Sequence, residues 1–332
     1  TGNKRCELDA GIETVNVGKE KYIVHPAFGS NVDDGGWSSN ISGFWCAKYE
    51  AVSKNSELCF IPDVESWRYQ NIRLQYSTAI NATYGYTVSN ANSDEIRSFM
   101  YSHMMKNSEW GAVAYLTHSR YGRNGKEIDI NNSSDYITGN GGGSTSASSS
   151  SETTNAYNTV QGVKASTTGN VYGIYDMSGG AWEYVVTFNL KNNKSYLSNH
   201  GWETIGNIAG VKNTVNSETK LTSATSTKYA TQYDNKAMSS GMSSSGNSVI
   251  YTVGKVGDAT KEVNTGGSKE LSDARTSYYN WFSDQPYLVN VDYPFARHGG
   301  FANSGSSAGI FCEDSFGGSG YSTDSFRTVL VP

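Results

Sequence analysis

The chain has 332 residues, 36% hydrophobic and only 17% charged, with a formal net charge of −5. That balance excludes a coiled coil and a charge-driven disordered chain, and the negative sign argues against a nucleic-acid surface. The best apolar runs, such as WGAVAYL (110–116), fall far short of a bilayer's thickness, so no membrane insertion is expected.

In chain order, residues 1–20 read as an N-terminal extension. KYIVHPAF (21–28) and GFWCAKYE (43–50) read as strands, with Asp33-Asp34-Gly35-Gly36 between them as turn material rather than a chelating loop. A helix is predicted over 66–85, because Ile72, Tyr76, Ala79 and Ile80 make one apolar stripe. A second is predicted over 106–122, with Asn107 or Ser108 as cap, Glu109 in the first turn and Trp110, Val113, Ala114 and Thr117 on one face. Residues 139–156 are Ser/Gly-rich and read as a flexible surface loop. GNVYGIYDMSGGAWEYVV (169–186) reads as a tightly looped core segment ending in a strand, and Trp110 and Trp182 as core residues. About 190–275 is a polar insertion with a few short strands, SVIYTVGKV (248–256) among them. The chain closes on a strand, Thr328 to Val331. Two helices, many short strands and no βαβ alternation make this an α+β domain built on antiparallel sheet.

Four cysteines, Cys6, Cys46, Cys59 and Cys312, form no CxxC pair and suit no zinc module. Cys46 and Cys59 would bridge if their strands were neighbours; unpaired thiols are the blander expectation. The histidines, His25, His103, His118, His200 and His298, stand singly, without the spacing of metal ligands.

Between Gly299 and Arg327 the chain is mostly Gly, Ser and Asn, yet it carries five aromatic rings. Ala308, Ile310 and Phe311 read as a short buried strand, and Phe326, Val329 and Val331 as anchors of the closing one. Between these anchors lie Phe301, Ala302, Ser304, Ser306, Ser307, Cys312, Glu313, Asp314, Ser315, Phe316, Ser319, Tyr321, Ser322, Thr323 and Asp324. This mixture of rings, small polar groups and acids has no core periodicity. It has the make-up of a recognition surface, where rings give area and hydroxyls give adaptable hydrogen bonds.

HPAF, GFWCAKYE, NSEWGAVAYL, GNVYGIYDMSGGAWEYV, RHGGF and SFRTVLV occur in that order, and together they resemble the formylglycine-generating-enzyme-like branch of the C-type lectin fold. The resemblance spans about residues 21–331, with GGAWEYV in the place of the family's GNVWEW and RHGGF in the place of RGGSW. It implies one lectin-fold domain over 21–332, with Arg297, Gly299, Gly300, Trp182, Glu183, Phe326 and Arg327 as scaffold. Catalytic members carry a copper-binding cysteine pair just after the RGG motif. Here Phe301, Ala302, Asn303 and Ser304 follow instead, so no catalytic residue and no enzyme activity is expected. Glu183 and Asp176 would be donors for a structural Ca²⁺, but the family's asparagine is Gly180 here, and no metal and no cofactor is expected. The sugar-binding motifs of calcium-dependent lectins are absent; Gln285-Pro286-Tyr287 is only a fragment of one.

The ending GG…AG.F…G…SFR is also similar to the variable segment (297–327) of proteins diversified by retroelements, of which phage tail receptor-binding proteins are the familiar kind. That resemblance implies an adhesin on a virion tail or cell surface. Its partner would be a receptor protein or glycan, and it would work singly or as a homo-oligomer. The alternatives are a formylglycine-generating oxidase with relocated cysteines and a structural virion module whose rings make subunit contacts.

Overall fold

A computed structural model describes residues 13–82, 101–142, 155–189, 229–233, 257–260, 284, 287, 293 and 295–331. Within them two α-helices and twelve short strands form an α+β arrangement of several small sheets. Strands β1 (Thr14–Val17) and β2 (Glu20–Ile23) make a hairpin, as do β4 (Val52–Lys54) and β5 (Glu57–Cys59). A three-stranded sheet has the order β3 (Trp45–Cys46), β12 (Thr328–Val331), β6 (Tyr101–Met104). The largest sheet has the order β10 (Gly309–Phe316), β9 (Phe295–Gly299), β7 (Trp182–Asn189), β11 (Asp324–Ser325); β8 (Thr231–Tyr233) also pairs with β7.

Helix α1 spans Ile72–Asn81 and α2 spans Asn107–His118. Both are shorter than their apolar stripes predict. Asn71 caps α1, its side chain accepting from Leu74 N–H at 3.0 Å. Residues before the cap are drawn out of helix by distant backbone partners: Ser66 N–H donates to Tyr136 O, Trp67 N–H to Ala51 O and Tyr69 N–H to Tyr321 O. Residues 83–85 of that predicted helix lie outside the described set. In α2 the cap is Lys106, one residue before the predicted one, because Glu109 reaches back to accept from Lys106 N–H at 2.9 Å. The strand predicted over 21–28 breaks after Ile23. Pro26 opens a 3-10 turn (Pro26–Phe28) that His25 caps by accepting from Ala27 N–H. The strand predicted over 43–50 keeps only Trp45–Cys46, since Lys48 turns its carbonyl to Tyr175.

Two apolar clusters fill the interior. One joins Trp110, Val113 and Ala114 of α2 to Met177, Val185, Ile310, Phe311, Val329 and Val331. The other joins Ile72, Tyr76 and Ala79 of α1 to Tyr184, Val186, Phe295 and Phe326. The polar insertion touches this core wherever it is described. Tyr229, Ala230 and Thr231 are buried, and Asn107 donates to Asp258 and Thr260. At Gly111 a β-carbon would stand 1.8 Å from Gly257 O, so only glycine lets the insertion lie on α2. SVIYTVGKV lies outside the described residues but for its neighbour Gly257, as do 143–154 of the Ser/Gly loop. The ends of that loop are not loose: Gly139 and Gly142 are buried, and their N–H groups donate to Asp176 and Ile130.

Candidate functional site

The largest sheet sorts its side chains by strand alternation. On β7, Glu183 turns to one face, while Trp182 and Tyr184 turn to the other. Opposite Tyr184 on β9 stands Arg297, and opposite Arg297 on β10 stands Asp314. Asp324 on β11 lies opposite Trp182. One face therefore carries a charge row, Asp314–Arg297–Asp324, laid across aromatic rings.

Arg297 donates through Nε and Nη2 to Asp314 Oδ2 (3.0 and 2.5 Å) and through Nη1 to Asp324 Oδ1 (2.5 Å). Its guanidinium is also stacked, 5.0 Å from the Trp182 ring and 4.5 Å from Phe316. The ring series continues on both sides. Phe301 lies 6.4 Å from Trp182; Tyr321 meets Phe316 edge-on at 4.8 Å, and Tyr293 stacks on it at 6.0 Å. Beside Tyr321, Arg68 sits 4.3 Å over Tyr136 and 5.7 Å over Tyr69, and it pairs with Glu65. Tyr69, Tyr321 and Tyr293 are the most exposed rings of this surface, at 66%, 48% and 45%. Burial pushes the Asp324 carboxyl up, against the pull of Arg297.

The loop bearing Tyr321 is held through its main chain. Gly318 O accepts from Ile72 N–H at 3.0 Å, Ser319 O from Tyr184 Oη–H at 3.2 Å, Tyr321 O from Tyr69 N–H at 3.0 Å and Ser322 O from Arg68 Nη1 at 2.6 Å. These fixings do not depend on the Tyr321 or Ser322 side chain.

Of the residues expected to be displayed, the structure exposes Tyr321 and Ser306 and half-buries Phe301, Ser304, Ser307, Asp314, Phe316, Ser319, Ser322 and Thr323. Five expectations are corrected. Ala302, Cys312, Ser315 and Asp324 are buried, and so is Glu313. Cys312, Glu313 and Ser315 lie within β10, Asp324 is Arg297's inner partner, and Ala302 is fixed by its N–H to Gly180 O. Every expected scaffold residue (Arg297, Gly299, Gly300, Trp182, Glu183, Phe326, Arg327) is buried. Tyr69, Arg68, Tyr136 and Tyr293 belong to the same surface but were not singled out. They lie far from the variable-like segment in sequence; the one local hint was the aromatic-cationic triplet Trp67-Arg68-Tyr69.

Behind this face lies a second ionic centre. Arg327 Nε donates to Glu183 Oε2 at 2.7 Å and Nη2 to Glu183 Oε1, while the guanidinium also reaches Ala47 O and Tyr175 O. Asp176 accepts from Asn131 Nδ2 and Gly139 N–H, and Glu50 accepts from Ser66 Oγ–H and Ala181 N–H. Burial pushes Asp176 up to about 7 and Glu50 well above the carboxylate range; it raises Glu183 too, against Arg327. Both carboxylate oxygens of Glu183 face the Arg327 guanidinium, so the cation beside Glu183 is that arginine, while Asp176 is held by Asn131 and Gly139. Among the described residues no group of three or more His, Cys, Asp or Glu is placed to hold a metal. Cys46 and Cys59 are free thiols, Cys312 is buried in β10, and burial pushes Cys46 up to about 12. His298 is buried between Asn107 and the Cys312 carbonyl, and His103 is buried against Glu109. Among the described residues no helix is long and apolar enough to cross a membrane.

No family model matches the chain, and no curated protein matches it.

Proposed function

We propose that this chain is a binding protein that presents the Tyr69–Tyr321–Tyr293 surface to a receptor protein or glycan. Its scaffold, on this reading, is a single lectin-type domain of the formylglycine-generating-enzyme-like branch. The observation that carries the reading is an exposed ring set on a stiff support. Tyr321 and Tyr293 pack on Phe316 of a stacked Trp182–Arg297–Phe316 base, Tyr69 docks beside them through its N–H to Tyr321 O, and the neighbouring loop is pinned at its carbonyls. Such a surface is ordered before its ligand arrives, so binding does not have to order it. Arg297 and Arg68 are each matched to carboxylates, which leaves ring faces and phenol hydroxyls as the contact chemistry. Tyrosine-rich faces of this kind serve as anchors in other recognition surfaces. The place proposed for it is a virion tail or a cell surface, where several copies would add avidity.

The test compares wild type with Tyr69→Ser/Tyr293→Ser/Tyr321→Ser on arrays of glycans and cell-surface proteins. The expected result is at least one ligand held by wild type and lost by the triple variant, with both chains folded. Equal binding by the two overturns the assignment of the surface. Copper-dependent oxidation of a substrate thiol by wild type overturns the binding reading itself. An obligate oligomer in light scattering that dissociates on Phe316→Ser would reassign the rings to subunit contact. A near-copy of the DNA encoding 297–327, differing only at adenines and lying beside a reverse-transcriptase gene, would establish diversification.

A further inference from the structure

Strand β10 starts against a buried carboxyl group. Asp284 is fully buried; its Oδ2 accepts from Phe311 N–H at 2.8 Å. Its Oδ1 fills the space beside Gly309, where a β-carbon would stand 1.7 Å away. The second carboxyl group is Glu127, in the segment leaving α2, and it is hydrogen-bonded to Asp284. Among the described residues neither Asp284 Oδ1 nor Glu127 Oε1 meets any N–H or O–H donor. Two carboxyl groups in contact, with the single Phe311 N–H as their donor among the described residues, stay together only while one of them carries a proton; both ionised, they repel in a poorly solvated place.

Among the described residues no free cation reaches the pair. Asp129 lies two residues on, engaged by Arg123 at 3.6 Å, and adds negative charge beside Glu127. The His118 ring lies parallel to Phe311 at 6.4 Å, and burial pushes it down to about 4, so it is neutral. Glu313, also buried, follows two positions along β10.

We propose that Glu127 and Asp284 share one proton, and that this proton locks the start of β10 to the segment leaving α2. Burial supports this by pushing Glu127 up to about 8 and Asp284 well above the usual range. The sign follows. Groups whose folded pKa is raised stabilise fully below their unfolded value, and that contribution is lost as pH rises toward the folded one. The lock is therefore complete near pH 4 and weakens as pH rises toward the raised folded values of the pair. Strand β10 also carries Asp314 and Phe316, so the proton stiffens the ring surface from behind. That consequence rests on the proposed binding function; the lock itself does not.

The test is amide exchange at Phe311 in the full chain between pH 5 and 9, corrected for the intrinsic rate. In wild type the opening constant should rise about tenfold per pH unit for the one proton released, for as long as the folded pair retains it. Glu127→Gln supplies a permanent donor to the Asp284 carboxylate, and Asp284→Asn supplies one to Glu127. Each should lower the slope by one proton while other groups contribute equally to all three chains. Equal slopes in wild type and Glu127→Gln overturn the proposal. So does protection of Phe311 by millimolar Ca²⁺ in wild type alone, which would put a cation where the proton is placed.

Discussion

Arg327 and Arg297 each hold carboxylates on the same sheet, but Arg327 is sealed in the interior while Arg297 lies just beneath exposed rings. The β7 alternation separates them: Glu183 goes to Arg327, and its neighbour Trp182 goes under Arg297. Arg327 also satisfies two backbone carbonyls, so its five donors knit the loop at Ala47 and the segment at Tyr175 to the sheet. Arg297 touches no such distant backbone; its partners are Asp314, Asp324 and two ring faces. The inner arginine holds the frame together, and the outer one sets the floor on which rings are displayed.

Breaking the inner centre should have the largest effect. Arg327→Ala leaves Glu183 buried without its cation and is expected to destabilise by about 3–5 kcal/mol, read from denaturant unfolding. Arg327→Met with Glu183→Leu removes both charges and should recover only part of that loss, because Ala47 O and Tyr175 O both lose the donor that Arg327 gave them. A full recovery would mean that the inner centre is no more than a charge pair. Arg297→Ala should cost less, about 1–3 kcal/mol, because Asp314 can turn to water and only Asp324 stays enclosed. If Arg297→Ala proves as damaging as Arg327→Ala, the distinction between frame and floor fails.

The frame was partly legible in the sequence. The alternating TVLV run marks its own strand, and it forms over the predicted Thr328–Val331. The stripe of α2 and its Glu109 mark a helix, since both signals are local. What was not legible depends on residues far apart. The stretch 66–71 has helical spacing but is held extended by Ala51, Tyr136 and Tyr321. The recognition surface suffered from the same cause twice. Composition alone does not say which side of β10 faces inward, so Cys312 and Ser315 were counted as displayed although the strand buries them. Tyr69 reaches the surface only because its N–H docks on Tyr321 O, a partner some 250 residues away.

A third effect separates the two regions by pH. Glu50, Asp176 and Glu183 all have raised values in the folded chain, so their stabilising contribution is present at low pH and lost as pH rises through them. Unfolding midpoints should therefore be higher at pH 5 than at pH 8. Asp176→Asn should flatten the part of that slope between about 4 and 7. Asparagine tolerates the left-handed backbone of Asp176 (φ 66°) and keeps an acceptor for Asn131, so the fold should survive the change. Arg297→Ala should leave this slope in place, since Asp176 and Glu50 belong to the inner network. An unchanged slope in Asp176→Asn would show that the inner acids are not the source.

The smallest expected effect on folding is the most discriminating. Tyr69→Ser, Tyr321→Ser and Tyr293→Ser each remove a ring that is at least 45% exposed, so each should change stability by no more than about 0.5 kcal/mol. Tyr321 gives the sharpest case, because its loop is fixed by the carbonyls of Gly318, Ser319, Tyr321 and Ser322 rather than by its ring. Its one aromatic contact among the described residues is the edge-on meeting with Phe316, worth about 0.5–1.5 kcal/mol at a fully packed site and less at an exposed one. A loss of 2 kcal/mol or more in Tyr321→Ser would mean that the ring holds the floor together, and the surface would then be part of the frame. Unchanged unfolding together with lost ligand retention would place Tyr321 on the recognition side of the comparison.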